Sequence, residues 1–144
     1  SVEWPQIDYR VTDLMEWDIP NESFDCIATI ATLHHLSLES VLPKLRDALK
    51  PGGILMVLDL YRAETVGDVL RSLAALPLSA AYKWVKVGRV RQSEEARQAW
   101  EAHGANDVYP PVSAVRACCD QFLPGAIVRK HLFWRYSLIW QTPT

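Results

Sequence analysis

Two adjacent histidines, His34 and His35, follow an apolar run and are the residues best suited to acid–base chemistry in this chain. An imidazole titrates near neutral pH, so either ring could accept the proton of a reacting hydroxyl or amine. The alternative is structural: one ring packs against the helix that follows, and the other lines a pocket without moving a proton. Both interpretations are open, and His34 and His35 are the candidate catalytic residues.

The histidines lie inside a predicted strand–helix–strand unit. Phe24–Leu33 and Ile54–Leu60 are nearly continuous apolar runs, typical of parallel strands that are covered on both faces. The helix between them has two possible starts, and we predict Ser40 rather than Ser37. A start at Ser40 leaves Pro43 in the first turn, where the missing amide hydrogen costs least.

Ligands of a doubly wound sheet bind at the carboxyl ends of its parallel strands. By position alone this rule nominates Asp13–Leu14, which follow a short alternating strand predicted at Ile7–Val11, and Ile30–Ala31 in the next strand. Asp59 comes at the end of the second long strand. It either faces a substrate or caps the strand end, and the sequence favours neither.

The rest of the chain alternates helices and strands. An antiparallel hairpin is expected at its C-terminal end, because polar and apolar residues alternate there around a short connection. The predicted helices are Ala63–Leu76, Ser93–His103 and Val112–Phe122, and the predicted strands of the hairpin are Ala126–Leu132 and Arg135–Gln141.

Composition excludes several classes of protein. The net charge of -2 gives no general attraction to nucleic acid or to an anionic membrane, and no apolar run is long enough for a membrane helix. The three cysteines, Cys26, Cys118 and Cys119, have neither disulfide nor metal-ligand spacing, so we expect buried thiols and no metal site. The expected location is the cytoplasm.

Four motifs in order resemble the second half of a class I S-adenosylmethionine-dependent methyltransferase, closest in character to the type 11 or UbiE-like group. They are Asp13-Leu14, Phe24-Asp25-Cys26-Ile27, Leu33-His34-His35-Leu36 and Leu49-Lys50-Pro51-Gly52-Gly53. The resemblance implies an α/β fold: a Rossmann-like three-layer sandwich with a mostly parallel sheet and a C-terminal antiparallel hairpin. It further implies a single domain over 1–144, with 62–111 as a helical cap on the substrate side.

The resemblance also implies roles for individual residues. Asp13 would accept a hydrogen bond from the adenine amino group of S-adenosylmethionine, and the Leu14 amide would donate to the ring. Ile30, with Ala31, would contact the methionine part through the main chain, and His35 would line the cofactor pocket. In the cap, three aromatic side chains either form a substrate lid or belong to an ordinary core: Tyr82, Trp84 and Trp100.

One feature of such enzymes is missing from this sequence. They bind the cofactor with a glycine-rich loop after their first strand, and none of the six glycines here belongs to such a loop. We therefore expect a fragment that lacks the first two strands of the fold. Its partners would be a homodimer mate or the missing N-terminal segment.

The predicted function is S-adenosylmethionine-dependent methylation of a small molecule, which leaves S-adenosylhomocysteine as the product. The main alternative is a non-catalytic remnant that acts as an interaction or dimerisation module. RNA methylation is less favoured, because only one short basic run, Lys83 to Arg91, supports it. A nicotinamide-dependent reductase is also less favoured, because the spacing of Leu33-His34-His35-Leu36 and Lys50-Pro51-Gly52-Gly53 argues against it.

Overall fold

A computed structural model describes residues 6–87, 94 and 109–144 of the chain. Within them the sheet has four strands in the order β1-β2-β4-β3. β1 pairs with β2 in parallel, and β4 runs antiparallel to both β2 and β3. The strands are β1 Phe24–Ile30, β2 Leu49–Leu60, β3 Ile127–Lys130 and β4 Arg135–Gln141; the α-helices are α1 Leu38–Ala48, α2 Val66–Val87 and α3 Val112–Phe122. The α/β architecture with a closing antiparallel hairpin is confirmed.

The core lies on one face of this sheet. Alternation along β2 and β4 turns Leu55, Val57, Tyr136, Leu138 and Trp140 to the same side, where α1 and α3 cover them. The residues that the two helices bring to this core are Val41, Leu42, Leu45, Val112, Val115 and Cys119. The alternation of the last strand therefore predicted its buried side correctly.

The opposite face is apolar and exposed in the described part of the chain. Met56 pairs with Ile139, and Ile139 pairs with Ile127, so these side chains point to one side of the sheet. All three are exposed, as is Ile54. The expectation of strands covered on both faces is thus not met within the described residues, and Cys26, predicted to be buried, is exposed on this face.

The predicted strand Ile7–Val11 is wrong. The segment has no regular structure, and its apolar side chains Ile7 and Val11 are exposed. An alternating pattern forms a strand only when a neighbouring strand accepts its backbone hydrogen bonds. Among the described residues β1 pairs with β2 alone. No described strand therefore lies between β1 and Ile7–Val11 to accept the hydrogen bonds of that segment.

Helix boundaries differ from prediction at two places. α1 is capped at Ser37 rather than Ser40, since the amides of both Ser40 and Val41 already donate to the Ser37 carbonyl. Pro43 consequently lies inside the helix. α2 begins at Val66 and continues through Pro77. The predicted helix Val112–Phe122 is confirmed residue for residue, whereas Ser93–His103 lies outside the described residues apart from Glu94, which is helical.

The start of α2 is fixed by a reciprocal cap and a buried ion pair. The Thr65 hydroxyl accepts from the Asp68 amide at 3.2 Å, and the Asp68 carboxylate accepts from the Thr65 amide at 3.2 Å. Lys130 Nζ donates to both carboxylate oxygens of Asp68, at 2.7 and 2.8 Å. This ammonium group holds the pKa of Asp68 well below its usual range. The ion pair therefore joins α2 to β3.

We predict that Asp68→Asn lowers the free energy of unfolding by about 1–3 kcal/mol at pH 7, because it removes the charge that Lys130 binds. The pKa of Asp68 is lowered in the folded protein. Its contribution is therefore fully present above the pKa of a free carboxyl group, about 4, and declines as the pH falls below that value. Urea unfolding at pH 7 and pH 3 should show a smaller difference between variant and wild type at pH 3.

Asp25→Asn is the matched control, since Asp25 forms an exposed ion pair with Lys50 at 2.9 Å. An exposed pair contributes little, so no measurable change is expected. Equal stability of the two variants at pH 7 would contradict the structural role of Asp68.

Candidate functional site

Asp59 organises the carboxyl end of β2. Its side chain is fully buried, with 0% of its surface exposed, and its carboxylate accepts from backbone amides on both sides of the strand end. The Leu33 amide donates at 2.6 Å and the His34 amide at 3.1 Å to one oxygen, and the Leu60 amide donates at 2.7 Å to the other. The carboxylate thus fixes the 3-10 turn Leu33–His35 that follows β1.

Asp59 also holds the imidazole of His34. Nδ1 of His34 lies 2.5 Å from Oδ1 of Asp59, and only 3% of the His34 side chain is exposed. A carboxylate accepts only, so this contact requires a proton on Nδ1 and leaves Nε2 as the nitrogen that can gain or lose one. Asp59 therefore caps the strand end and orients a histidine, rather than facing outward to a substrate.

Aromatic rings surround this pair. The centroid of the His34 ring lies 3.9 Å from that of His35 and 5.1 Å from that of Tyr109, whose ring is stacked at 29°. Tyr136 lies opposite Asp59 in the β2–β4 register and is completely buried. Burial raises the pKa of the Tyr136 phenol, and the Asp59 carboxylate raises it further. His35, in contrast with His34, is exposed.

Ile30 and Ala31 end β1 beside this group. Ile30 is 72% exposed, and Ala31 adopts a left-handed conformation with φ of +52°. A residue with a Cβ is uncommon in that region. The Ala31 amide donates to the Leu58 carbonyl at 2.9 Å, so the turn is anchored to β2. Ile30 and Ala31 are thus exposed where the sequence predicted cofactor contact, and that contact stays a prediction.

Asp13 and Leu14 form a separate local structure. The Asp13 side chain accepts from the Met15 amide at 2.8 Å, which makes it a turn-forming aspartate. Leu14 packs against the core, and the Lys44 ammonium donates to the Met15 carbonyl at 2.9 Å, so the turn rests on α1. The hydrogen bond from the Met15 amide therefore gives Asp13 a turn-capping role. They leave its proposed bond to adenine untested.

The structure describes two of the three aromatic residues predicted in the cap, and their role as a substrate lid stays a prediction. Tyr82 is 63% and Trp84 66% exposed on α2, and Trp100 lies outside the described residues. The described residues contain no cluster of three metal-ligating side chains. They also contain no helix long and apolar enough to cross a membrane.

One cavity lies away from His34. It has a volume of about 550 Å³ and is found where the start of α2 meets α3 and β3. Its lining combines one acidic and three basic side chains: Asp68, Arg116, Arg129 and Lys130. Because Lys130 is already bound to Asp68, we interpret this cavity as part of the contact between α2 and the sheet.

The sequence interpretation missed Tyr109 and the pair of Thr65 and Asp68. The second had a signal, since Thr-x-x-Asp before an apolar helix is a capping-box pattern. Tyr109 had none, because its position over His34 depends on how a distant segment returns to the sheet.

Comparison with known proteins bears on the family and the fold of the chain. A family model described as a methyltransferase domain matches residues 1–57. Uncharacterized methyltransferases of Mycobacterium bovis and Mycobacterium tuberculosis are 30% identical over 135 residues, which is 91% of this chain and 62% of theirs. The chain thus spans less than two thirds of the length of these curated relatives.

Solved structures share the fold. Human N-acetylserotonin methyltransferase, in complex with S-adenosylmethionine, matches with a TM-score of 0.58 and 16% identity over 99% of this chain and 36% of that chain. A methyltransferase in complex with the Haloferax volcanii Trm112 activator matches with a TM-score of 0.60 and 12% identity over 99% and 65%. These likenesses show a Rossmann-like α/β fold. The match over residues 1–57 and the 30% identical relatives confirm the resemblance to the class I S-adenosylmethionine-dependent methyltransferases.

We predict that Asp59→Asn lowers the free energy of unfolding by about 3 kcal/mol or more, because an amide nitrogen cannot accept the hydrogen bonds of the carboxylate and the His34 ring loses its partner. Urea unfolding at pH 7 measures this loss. Asp47→Asn changes an exposed aspartate next to β2 and serves as the control. A loss no greater than that of the control would mean that Asp59 does not hold this strand end.

Proposed function

We propose that this chain forms the methyl-transfer side of an S-adenosylmethionine-dependent methyltransferase that acts on a small molecule. The observation that carries the proposal is the buried His34–Asp59 pair at the carboxyl ends of β1 and β2, where ligands of such sheets bind. When bound, the cofactor supplies an electrophilic methyl group on a sulfonium. The chain has to orient the acceptor, exclude water and remove a proton.

His34 suits the last task. Asp59 keeps the proton on Nδ1 and fixes the tautomer, so Nε2 is free to take the proton that a hydroxyl or amine acceptor must lose. The other candidate catalytic residue, His35, is exposed and packs on His34. We assign it to the wall of the cofactor pocket rather than to proton transfer.

The residues present fit one side of the cofactor. Ile30 and Ala31 are exposed at the strand end, and Asp13 is exposed in its turn. These positions would hold the methionine part and the adenine. No glycine-rich loop for the rest of the cofactor occurs in the sequence. We therefore propose that a further segment of the protein completes the pocket.

The exposed side of the sheet supports this proposal. Its apolar side chains, Ile54, Met56, Ile127 and Ile139, form a surface of the kind that α/β proteins cover with helices. The edge of β1 that has no partner among the described residues adjoins the same surface. The second candidate function, an interaction or dimerisation module, rests on the same observation, since a second copy of this chain could cover the surface instead.

A small acceptor is favoured over RNA. The net charge of -2 gives no general attraction to nucleic acid, and the one short basic run, Lys83 to Arg91, is weak support for it. The cap segment 62–111, with Tyr82, Trp84 and Trp100, is the proposed substrate side. Human N-acetylserotonin methyltransferase, one of the structures with this fold, is named for a small molecule.

Calorimetry with S-adenosylhomocysteine tests the proposal, on this chain and on the product of its whole reading frame. We expect binding by the whole product, weakened about tenfold by Asp13→Ala through loss of one hydrogen bond to adenine. Glu16→Ala, a nearby exposed carboxylate, is the control.

Absence of binding by the whole product would overturn the enzyme reading. If this chain also sedimented as a stable dimer, the interaction module would replace it. Binding by the whole product but not by the 144-residue chain would show that the further segment completes the pocket.

A further inference from the structure

Tyr109 contacts the proposed base from a distant part of the chain. Its ring is stacked on the His34 imidazole, with centroids 5.1 Å apart and planes inclined by 29°. Stacked aromatic rings have a preferred mutual geometry, so such a contact restrains the plane of the smaller ring. Nothing in the family motifs of this sequence pointed to Tyr109.

The segment that carries Tyr109 is anchored on both sides of the site. The Pro110 carbonyl accepts from the Arg62 amide at 3.2 Å, which ties it to the residues just after β2. Pro111 caps α3, and Val112 is buried in the core. Two consecutive prolines restrict the backbone further. Tyr109 is therefore placed over His34 by fixed structure at the point where the cap segment rejoins the sheet.

Several residues restrain the His34 side chain, each through a different contact. Asp59 binds Nδ1 from β2, and His35 packs beside it from the same turn. Tyr109 covers the ring from the returning segment, and Tyr136 lies beneath Asp59 from β4. A hydrogen bond at one atom leaves the imidazole free to tilt about that bond. The ring contacts with His35 and Tyr109 restrict this tilt, and Tyr109 is the one that comes from a distant segment.

We propose that Tyr109 is a positioning residue for His34: it fixes the plane of the imidazole and shields the His34–Asp59 hydrogen bond from water. The role of His34 as base rests on the proposed function, but the positioning itself does not. Through Tyr109 the end of the cap segment is coupled to the orientation of the base.

The test is NMR spectroscopy of the whole reading-frame product with ¹⁵N-labelled histidine. The Nδ1 proton of His34 is assigned as the signal that disappears in a His34→Gln variant. In wild type we expect a protected Nδ1 proton. Tyr109→Ala should raise its exchange rate with water about tenfold or more.

Two variants separate positioning from general destabilisation. Tyr109→Phe keeps the stacked ring and should restore slow exchange. Tyr9→Ala removes an exposed tyrosine elsewhere and should leave exchange unchanged. Thermal unfolding of all variants checks that the fold is intact under the conditions of the exchange measurement.

The proposal is overturned if Tyr109→Ala leaves the exchange rate of the folded protein unchanged, or if Tyr109→Phe is as fast as Tyr109→Ala. Neither result would bear on whether the protein binds the cofactor, because calorimetry measures that separately. Conversely, failure to bind S-adenosylhomocysteine would remove the enzymatic role of His34 without changing the exchange result.

Discussion

The burial of one carboxylate, Asp59, is the constraint on which the candidate site depends. A charged group without access to water is stable only when its oxygens accept several hydrogen bonds. Here three backbone amides and one imidazole meet that requirement, and three of these four donors belong to the turn after β1. The need to satisfy Asp59 therefore determines where β1 ends, how the turn is shaped and which way His34 points.

The same strands have a second consequence for function. Because side chains alternate along β2 and β4, their apolar content is divided between a packed face and an exposed one. The packed face, under α1 and α3, supports the site from below and makes it rigid. The exposed face and the edge of β1 that has no partner among the described residues are where the proposed further segment would pack. The candidate site is thus well packed around Asp59, and its other side is exposed in the described part of the chain.

Local pattern predicted the parts of the fold whose partners are close in sequence. Val112–Phe122 was correct because helical periodicity and flanking breakers agree, and the hairpin was correct because its strands pair with each other. Ile7–Val11 failed because strand formation depends on a partner that periodicity cannot reveal. Cys26 failed for a related reason, since an apolar neighbourhood does not say which face of the sheet is covered.

The sequence predicted which residues lie near the candidate site, but it did not predict which contacts they make. Strand-end reasoning selected His34, His35, Ile30 and Asp59, and the structure brings these together. That Asp59 binds His34 rather than a substrate follows from two backbone amides donated by a turn 25 residues earlier, which no spacing rule encodes. Tyr109 depends on tertiary packing in the same way. The sequence thus selected residues that lie close together, whereas packing decided which contacts each of them makes.

The central claim is that the cofactor binds at the strand ends organised by Asp59. Amide hydrogen exchange of the whole reading-frame product, with and without S-adenosylhomocysteine, tests it most directly. The account predicts slower exchange at Ala31 and at the Leu33–His35 turn, with no change at Asp68 and Lys130. Protection confined to the cavity around Asp68 and Arg116, with none at the Leu33–His35 turn, would contradict it.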